Sequence, residues 1–342
     1  MLKTAVVILN WNGKKFLEQF LPTLVENTQT PNTEIIIADN NSKDDSINFL
    51  NKNYPKIRQI NFDQNYGFTG GYNKALDQIE AEYFVLLNSD IEVSENWLTP
   101  LINLMDSDSS IAACQPKILS YHQKEYFEYA GAAGGYIDKY GYPFCRGRIL
   151  DTVEKDNAQH NEIKEVFWAT GACMLVRANL YKKTGGLDDD FFAHMEEIDL
   201  CWRLKNLGYK IVCNPKSTIY HVGGGTLPND SPFKLYLNFR NNLFLLYKNL
   251  PKGKLFPILL LRMILDGLSA LMFLLKLSFK SFNAVFKAHI HFYRSLSKMR
   301  IKRKELLQNI VVHEHKEIYP KSIVLDYFLG KKHLFNDIKF DV

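Results

Sequence analysis

The chain has 342 residues, 46% of them hydrophobic and 13% aromatic, enough apolar material for a large core, which excludes global disorder. Its five cysteines (Cys114, Cys145, Cys173, Cys201 and Cys213) contain no CxxC pair, so neither a zinc site nor a disulfide framework is indicated. The net charge of +5 conceals an asymmetry: residues 1–251 carry 25 Lys and Arg against 30 Asp and Glu, whereas residues 252–304 carry 12 against the single acid Asp266.

Met1 leads straight into a short apolar run at residues 4–9 (TAVVIL) with no signal-peptide pattern, so a cytosolic, reducing compartment is expected. The run ends in Asn10-Trp11-Asn12-Gly13, and residues 14–26 then space Phe16, Leu17, Phe20, Leu21 and Leu24 along one helical face. Residues 34–38 (EIIIA) repeat the pattern and end in Asp39-Asn40-Asn41-Ser42. Two strands finishing in Asn and Asp lay a polar rim along one edge of a parallel sheet, where ligands of open α/β sheets collect. Ser42 or Asp44 reads as a helix cap. Asp39 follows its strand immediately, and an acceptor-only carboxylate there suits the N3–H of a uracil or thymine ring.

A third strand at residues 57–62 precedes a glycine-containing loop at 65–73 (NYGFTGGYN) and a helix from about residue 74 to 79. The loop is either a tight turn or a place where backbone N–H groups meet a phosphate or sugar. It matches neither the dinucleotide fingerprint nor the P-loop. Residues 83–87 (YFVLL) form a strand buried on both faces, cut off by Asn88-Ser89-Asp90. That triplet is either a turn or helix cap, or a site where Asp90 offers a hard oxygen to Mg²⁺ or Mn²⁺.

A helix at 96–106 and a strand at 111–114 follow, and residues 115–165 show no period, as a functional loop or a small excursion would. After a strand at 172–177, Glu196, Glu197 and Asp199 crowd three carboxylates into the start of a helix. They are either acids favoured by the helix dipole or a source of a base with a raised pKa. A last strand at 210–213 leads to His221, which with Val222 precedes three glycines and reads as a loop residue.

Eight ordered motifs over roughly residues 3–250 together resemble family 2 glycosyltransferases of the GT-A fold, nearest the bacterial rhamnosyltransferase-like members. They are VVILNWNG (6–13), IIIADNNSKDDS (35–46), NYGFTGGYN (65–73), YFVLLNSD (83–90), TGACMLVR (170–177), GGLDDDFFAHMEEIDLCWRL (185–204), GYKI (208–211) and YHVGGGT (220–226). The resemblance implies an α/β GT-A catalytic domain over 1–250 with a helical extension over 251–342. It implies an inverting, metal-dependent transfer from a nucleoside-diphosphate-sugar donor to a glycan or lipid-linked glycan acceptor. The family's DXD motif falls on Asn88-Ser89-Asp90, so Asp90 contacts Mg²⁺ or Mn²⁺, Asn88 contacts ribose or phosphate, and His221 completes the metal site. Asp39 matches the acid that reads the base, and Asn12, Asn65 and Gly67 line the donor pocket, with Asp199 a further substrate-binding candidate. The family's Glu-Asp pair falls on Glu196-Glu197, making one of them, first Glu197, the catalytic base.

The extension opens with an apolar stretch at 255–279, broken by Arg262, Asp266 and Lys276. Charges near the middle of a span are costly, so an interfacial or packed helix pair is expected rather than a transmembrane helix. The basic run at 298–304 suits an anionic membrane surface, and no nucleic-acid motif is present. The expected location is the cytoplasmic face of the inner membrane, with peripheral attachment. A nucleotidyltransferase and an inactive glycan-binding scaffold are the rival readings.

Overall fold

The computed structural model describes residues 1–223 and 231–340. Residues 224–226, the end of the motif containing His221, lie outside the described residues. The centre is a nine-stranded mixed sheet whose first strands, β1 (Leu2–Asn10), β2 (Thr33–Asp39), β3 (Arg58–Asn61) and β4 (Ala81–Leu87), run parallel in the order β4-β1-β2-β3. Next in the chain come β5 (Ile91–Val93) and β6 (Ile111–Ser120). Four short strands, β7 (Gly135–Asp138), β8 (Pro143–Cys145), β9 (Arg148–Ile149) and β10 (Thr152–Val153), then build most of a second, five-stranded sheet. The chain returns to the main sheet through β11 (Lys164–Val166), β12 (Cys173–Arg177) and β13 (Lys210–His221), giving the order β11-β13-β6-β12-β4-β1-β2-β3 with β5 beside β13.

The apolar runs are continuous because both sheet faces are covered. Ala5 and Val7 point into one buried cluster and Val6 and Ile8 into the other, and β2 and β4 alternate in the same way. Helices α1 (Lys14–Asn27), α2 (Ser46–Asn53), α3 (Gly67–Leu76), α4 (Thr99–Ser107), α5 (Ala178–Lys183) and α6 (Glu196–Asn206) supply the cover. Register brings Asn10 opposite Asp39, and Ile8 opposite Leu87, so β1, β2 and β4 end level on one rim.

Three elements differ from expectation. Helix α3 begins at Gly67, not near residue 74, because its glycines seat it against β1 and β2: a β-carbon at Gly71 would stand 2.8 Å from Leu9. The stretch 115–165 carries regular structure where the sequence shows no period: residues 115–120 complete β6, and the excursion expected as one alternative holds four strands of the second sheet. Strand β13 continues to His221 across a register shift between Asn214 and Thr218, so His221 is a buried strand end and not a loop residue.

The C-terminal region is helical at first, with α7 (Pro232–Asn249), α8 (Lys252–Leu275) and α9 (Phe279–Leu307). It then shares the body's core. Strand β14 (Ile318–Tyr319) pairs in parallel with β7, and Phe335 and Phe340 pack their rings 5.5 and 5.4 Å from Tyr136. Among the described residues α8 is the one helix long and apolar enough to cross a membrane. Its two internal charges are turned inward: Arg262 Nε donates to Asp266 Oδ1 at 2.7 Å, and Asp266 Oδ2 lies 3.1 Å from His289 of α9. Replacing Asp266 by Ala leaves the Arg262 guanidinium buried without its counter-charge. The variant is expected to lose about 3–5 kcal/mol of stability in equilibrium urea unfolding.

Candidate active site

At the end of β2, Asp39 is buried and already accepts three hydrogen bonds. Its Oδ1 takes the Ser42 N–H at 2.8 Å, while Oδ2 takes Asn10 Nδ2 at 2.8 Å and the Ser42 hydroxyl at 2.7 Å. A carboxylate has about four lone-pair positions, so one remains for an incoming N–H. Asn12, in the left-handed region at φ 52°, accepts the Lys43 N–H through Oδ1 at 2.7 Å and ties the β1 turn to the β2 turn. Across the rim Asn65 Oδ1 takes the Gly67 N–H at 2.8 Å and Asn40 Nδ2 at 2.9 Å. Gly67 sits at φ +73°, where a β-carbon would stand 2.6 Å from the Phe192 ring, so both backbone and space demand glycine. Asn88 holds its place through its N–H to the Ala172 carbonyl at 2.9 Å.

Asp90 and His221 are brought together. The buried His221 ring lies between two carboxylates, Nε2 3.2 Å from Asp90 Oδ1 and Nδ1 3.4 Å from Glu128 Oε1. Neither contact has hydrogen-bond geometry, and both ring nitrogens are out of solvent. Burial pushes the imidazole pKa down, but the Glu128 and Asp90 charges outweigh it and hold it up at about 10. The pocket thus favours a positive charge between two acids. Glu128 is absent from the expectations above. Nothing in its aperiodic stretch marks it, and only the pairing of β13 with β6 and the Glu128 N–H bond to Ile118 bring it to His221.

Among the described residues no group of three or more His, Cys, Asp or Glu stands arranged to hold a metal. The donor set fits a divalent ion of another kind. Mg²⁺ and ions like it are commonly held by one or two protein ligands and completed by substrate phosphates and water. Asp90 Oδ1 and His221 Nε2, 3.2 Å apart, are candidates for such a pair, the ion taking the place of the imidazole proton.

Glu196 and Glu197 open α6, and each has an Oε2 buried without a protein hydrogen-bond partner. The Glu197 side chain is partly exposed along its length while that oxygen is sealed off. Burial raises both carboxyls, Glu196 well above the usual range with help from the Glu197 charge, and Glu197 to about 7. The approach to α6 is strained: Phe192, His194 and Met195 all occupy the left-handed region, at φ 66°, 68° and 70°. Such residues cost on the order of 1 kcal/mol each and persist only where the surroundings dictate them. Here α7 does so. Asn241 Nδ2 donates to the carbonyls of Phe191, Ala193 and His194 at 2.8–2.9 Å, and Arg240 donates to those of Asp190 and Phe191.

A short chain of contacts joins this pair to the histidine cluster. Glu128 accepts the Ala130 N–H, the Ala130 carbonyl accepts the Thr170 hydroxyl at 2.7 Å, and a β-carbon on Gly171 would stand 3.8 Å from Glu196 Oε1. Asp199 is not brought to the site. It is fully buried and committed to Arg203 at 2.8 Å, Lys248 at 2.9 Å and Asn249 at 2.9 Å, so its carboxylate faces protein cations rather than a ligand pocket. A cavity of about 900 Å³ also lies away from the rim, between the turn at 183–189 and α9.

The sequence matches the model for Glycosyl transferase family 2 over residues 5–185, and the chain belongs to that family. It is 23% identical over 243 residues to the low-salt glycan biosynthesis hexosyltransferase Agl10 of Haloferax volcanii, covering 69% of this chain and 73% of the relative. It is 23% identical to the N-acetylglucosaminyl-diphospho-decaprenol L-rhamnosyltransferase of Mycobacterium tuberculosis, covering 63% of this chain and 75% of that enzyme. Among solved structures, GalNAc-T7 with UDP, GalNAc and Mn²⁺ superposes with a TM-score of 0.57 at 16% identity. That match covers 72% of this chain and 49% of that one, so the chain spans about half of its length. The fold is GT-A.

The raised carboxyl of Glu197 has a consequence for stability. The folded state holds that proton more tightly than the unfolded chain, so ionising the group weakens the fold as pH climbs from the ordinary carboxylate range to about 7, fully so above. Glu197→Gln is expected to stabilise the fold at pH 8 by on the order of 1 kcal/mol, read as a raised melting temperature, and to change it little at pH 4. Paired thermal scans at the two pH values check this.

Proposed function

We propose that the chain moves a hexosyl or deoxyhexosyl unit from a UDP- or dTDP-linked donor to a hydroxyl of a glycan or lipid-linked glycan. The transfer inverts the anomeric carbon, and we place it at the cytoplasmic face of a membrane in cell-surface polysaccharide synthesis. The observation that carries this is the placement on one rim of Asp39, the Asp90–His221–Glu128 cluster and the orphaned Glu196–Glu197 pair. The relatives support it, since the mycobacterial one is named for placing L-rhamnose on a diphospho-decaprenol-linked sugar.

In this reading Asp39 accepts the base N3–H at its remaining lone pair. Asn12, Asn65 and Gly67 border the donor, and Asn88 hydrogen-bonds its ribose or phosphate. Asp90 and His221 would hold Mg²⁺ or Mn²⁺, which when bound would offset the charge gathering on the departing diphosphate. The acceptor hydroxyl oxygen forms its bond to the anomeric carbon as the bond to the diphosphate oxygen breaks. Glu197 takes the hydroxyl proton in that step. A single displacement needs no second carboxylate as nucleophile, unlike a retaining glycosidase. Burial, with the Glu197 charge, raises the Glu196 carboxyl well above the usual carboxylate range.

The rival is a donor-binding scaffold without turnover, motivated by Asn88 standing where the motif has an acid. Thermal shifts with UDP-, dTDP- and GDP-sugars, with and without Mn²⁺, separate the two when followed by a transfer assay. A donor at 100 times its Kd should stabilise the chain by about 2.7 kcal/mol. The shift should require metal and vanish in Asp90→Ala. No response to any nucleotide would sink the donor assignment, and binding without transfer would favour the scaffold.

For the base, Glu197→Gln is expected to lower kcat by about 10²–10⁴. Activity of the unmodified chain should rise with pH to a plateau above about 7, because the base acts deprotonated. An equal loss confined to Glu196→Gln would transfer the role to Glu196.

A further inference from the structure

We propose that the outward face of α8 is a docking surface for an anionic lipid bilayer, with the helix lying in the plane of the interface. Phe256, Leu260, Ile264, Leu268, Met272 and Leu275 recur at three- and four-residue spacing and are each 48–75% exposed. They form one stripe about 28 Å long at the rise of an α-helix. Single exposed apolar side chains are ordinary on protein surfaces, whereas a contiguous stripe of this length marks an interaction site.

The sequence obscured this face. Arg262 and Asp266 interrupt the apolar run on paper, but both are buried on the opposite side of the helix. Between Lys254 and Lys276 the exposed surface of α8 therefore carries no charge. Exposed lysines bracket it, Lys252 and Lys254 at one end and Lys276 and Lys280 at the other.

Charge identifies the occupant. Residues 252–304 hold 12 Lys and Arg against one acid, the fully buried Asp266. Arg262 pairs with that acid, Lys254, Lys298 and Lys302 pair with acids elsewhere in the chain, and Arg303 is buried, while Lys252, Lys276, Lys280, Lys287, Arg294, Arg300 and Lys304 are exposed. A second copy laid on the same face would bring two basic segments together. Anionic headgroups instead complement exposed Lys and Arg, each worth about 1 kcal/mol near a charged surface. The body determines the orientation. At mid-helix the Arg262 guanidinium rests 4.1 Å over the Tyr142 ring, in the connection between β7 and β8, and 5.9 Å from Phe239 of α7. A spanning α8 would carry those residues and the Arg262–Asp266–His289 network into hydrocarbon. Lying flat, it buries only its apolar stripe.

The inference rests on the lipid-linked acceptor reading for its purpose alone, and its test contains neither donor nor acceptor, so the two fail separately. The full chain is sedimented with vesicles of phosphatidylcholine and of phosphatidylcholine mixed with phosphatidylglycerol. Binding is expected to the mixed vesicles, to weaken with salt, and to fall about tenfold or more in Ile264→Glu/Leu268→Glu. Both positions are exposed, so the melting temperature should hold. As a second readout, the fluorescence of Leu268→Trp should be quenched by brominated lipid, above the background of the four native tryptophans. The proposal is overturned if the mixed vesicles bring down no protein or if the double variant binds as well as the unmodified chain. It is equally overturned if the double variant only abolishes a concentration-dependent dimer.

Discussion

Parallel strands that are covered on both faces and end level with one another impose most of what is seen here. Along residues 5–9 of β1, 35–38 of β2 and 83–87 of β4 the side chains are aliphatic or aromatic, because successive residues face one or the other of two cores. The first polar groups can stand only past the sheet edge. Because Asn10 lies opposite Asp39 and Ile8 opposite Leu87, those first polar groups arrive together, as Asn10, Asp39 and Asn88. The rim then organises itself: Asn10 and Ser42 hold Asp39, and Asn40 holds Asn65 and Gly67. A one-residue slip between β1 and β2 would exchange the side chains packed in the two cores and move Asp39 off Asn10, so core packing also sets the rim.

The carboxylate pair depends on a second constraint, supplied from outside the sheet. Three left-handed residues before α6 are unfavourable alone, and a single amide, Asn241, gathers three carbonyls to hold them. The preceding acids are gripped as well. Lys248 of α7 and Lys302 of α9 both pair with Asp188, and Lys298 and Lys302 pair with Asp190. The basic excess of α9 is thus partly used against the body, beside the segment that aims Glu196 and Glu197. With β14 pairing to β7, residues beyond 250 share a sheet and a core with the body.

The rim was readable because its signal is local: an apolar run, then an abrupt Asn or Asp. Other features required contacts between distant residues. Glu128 comes to His221 only through the β6–β13 pairing, and its own neighbourhood has no period. His221 read as a loop residue because three glycines follow it and because the register shift after Asn214 breaks the alternation of β13. Helix α3 was placed too late because its first turns hold Gly67, Gly70 and Gly71. Close packing on Leu9 and on Asn40, not helix propensity, keeps them helical. Arg262 and Asp266 carried a readable sign of their pairing, the i, i+4 spacing, yet no single-helix pattern says that such a pair faces a partner helix and not water.

Glu196, Glu197 and Asp199 show how neighbours divide chemically similar side chains. All three sit in the first turn of α6 and share the favourable end of its dipole. Asp199 meets Arg203, Lys248 and Asn249, which hold its carboxyl below the usual range despite burial and make it a structural anion. No ion pair among the described residues involves Glu196 or Glu197, and burial lifts both. One carboxylate of this turn therefore stabilises the fold at neutral pH and two work against it. A buried acid left without a counter-charge weakens the protein, and its presence is intelligible where the proton it holds is one the reaction must move. The same turn thus carries both the ion network that joins α6 to α7 and the pair in which the proposed base lies.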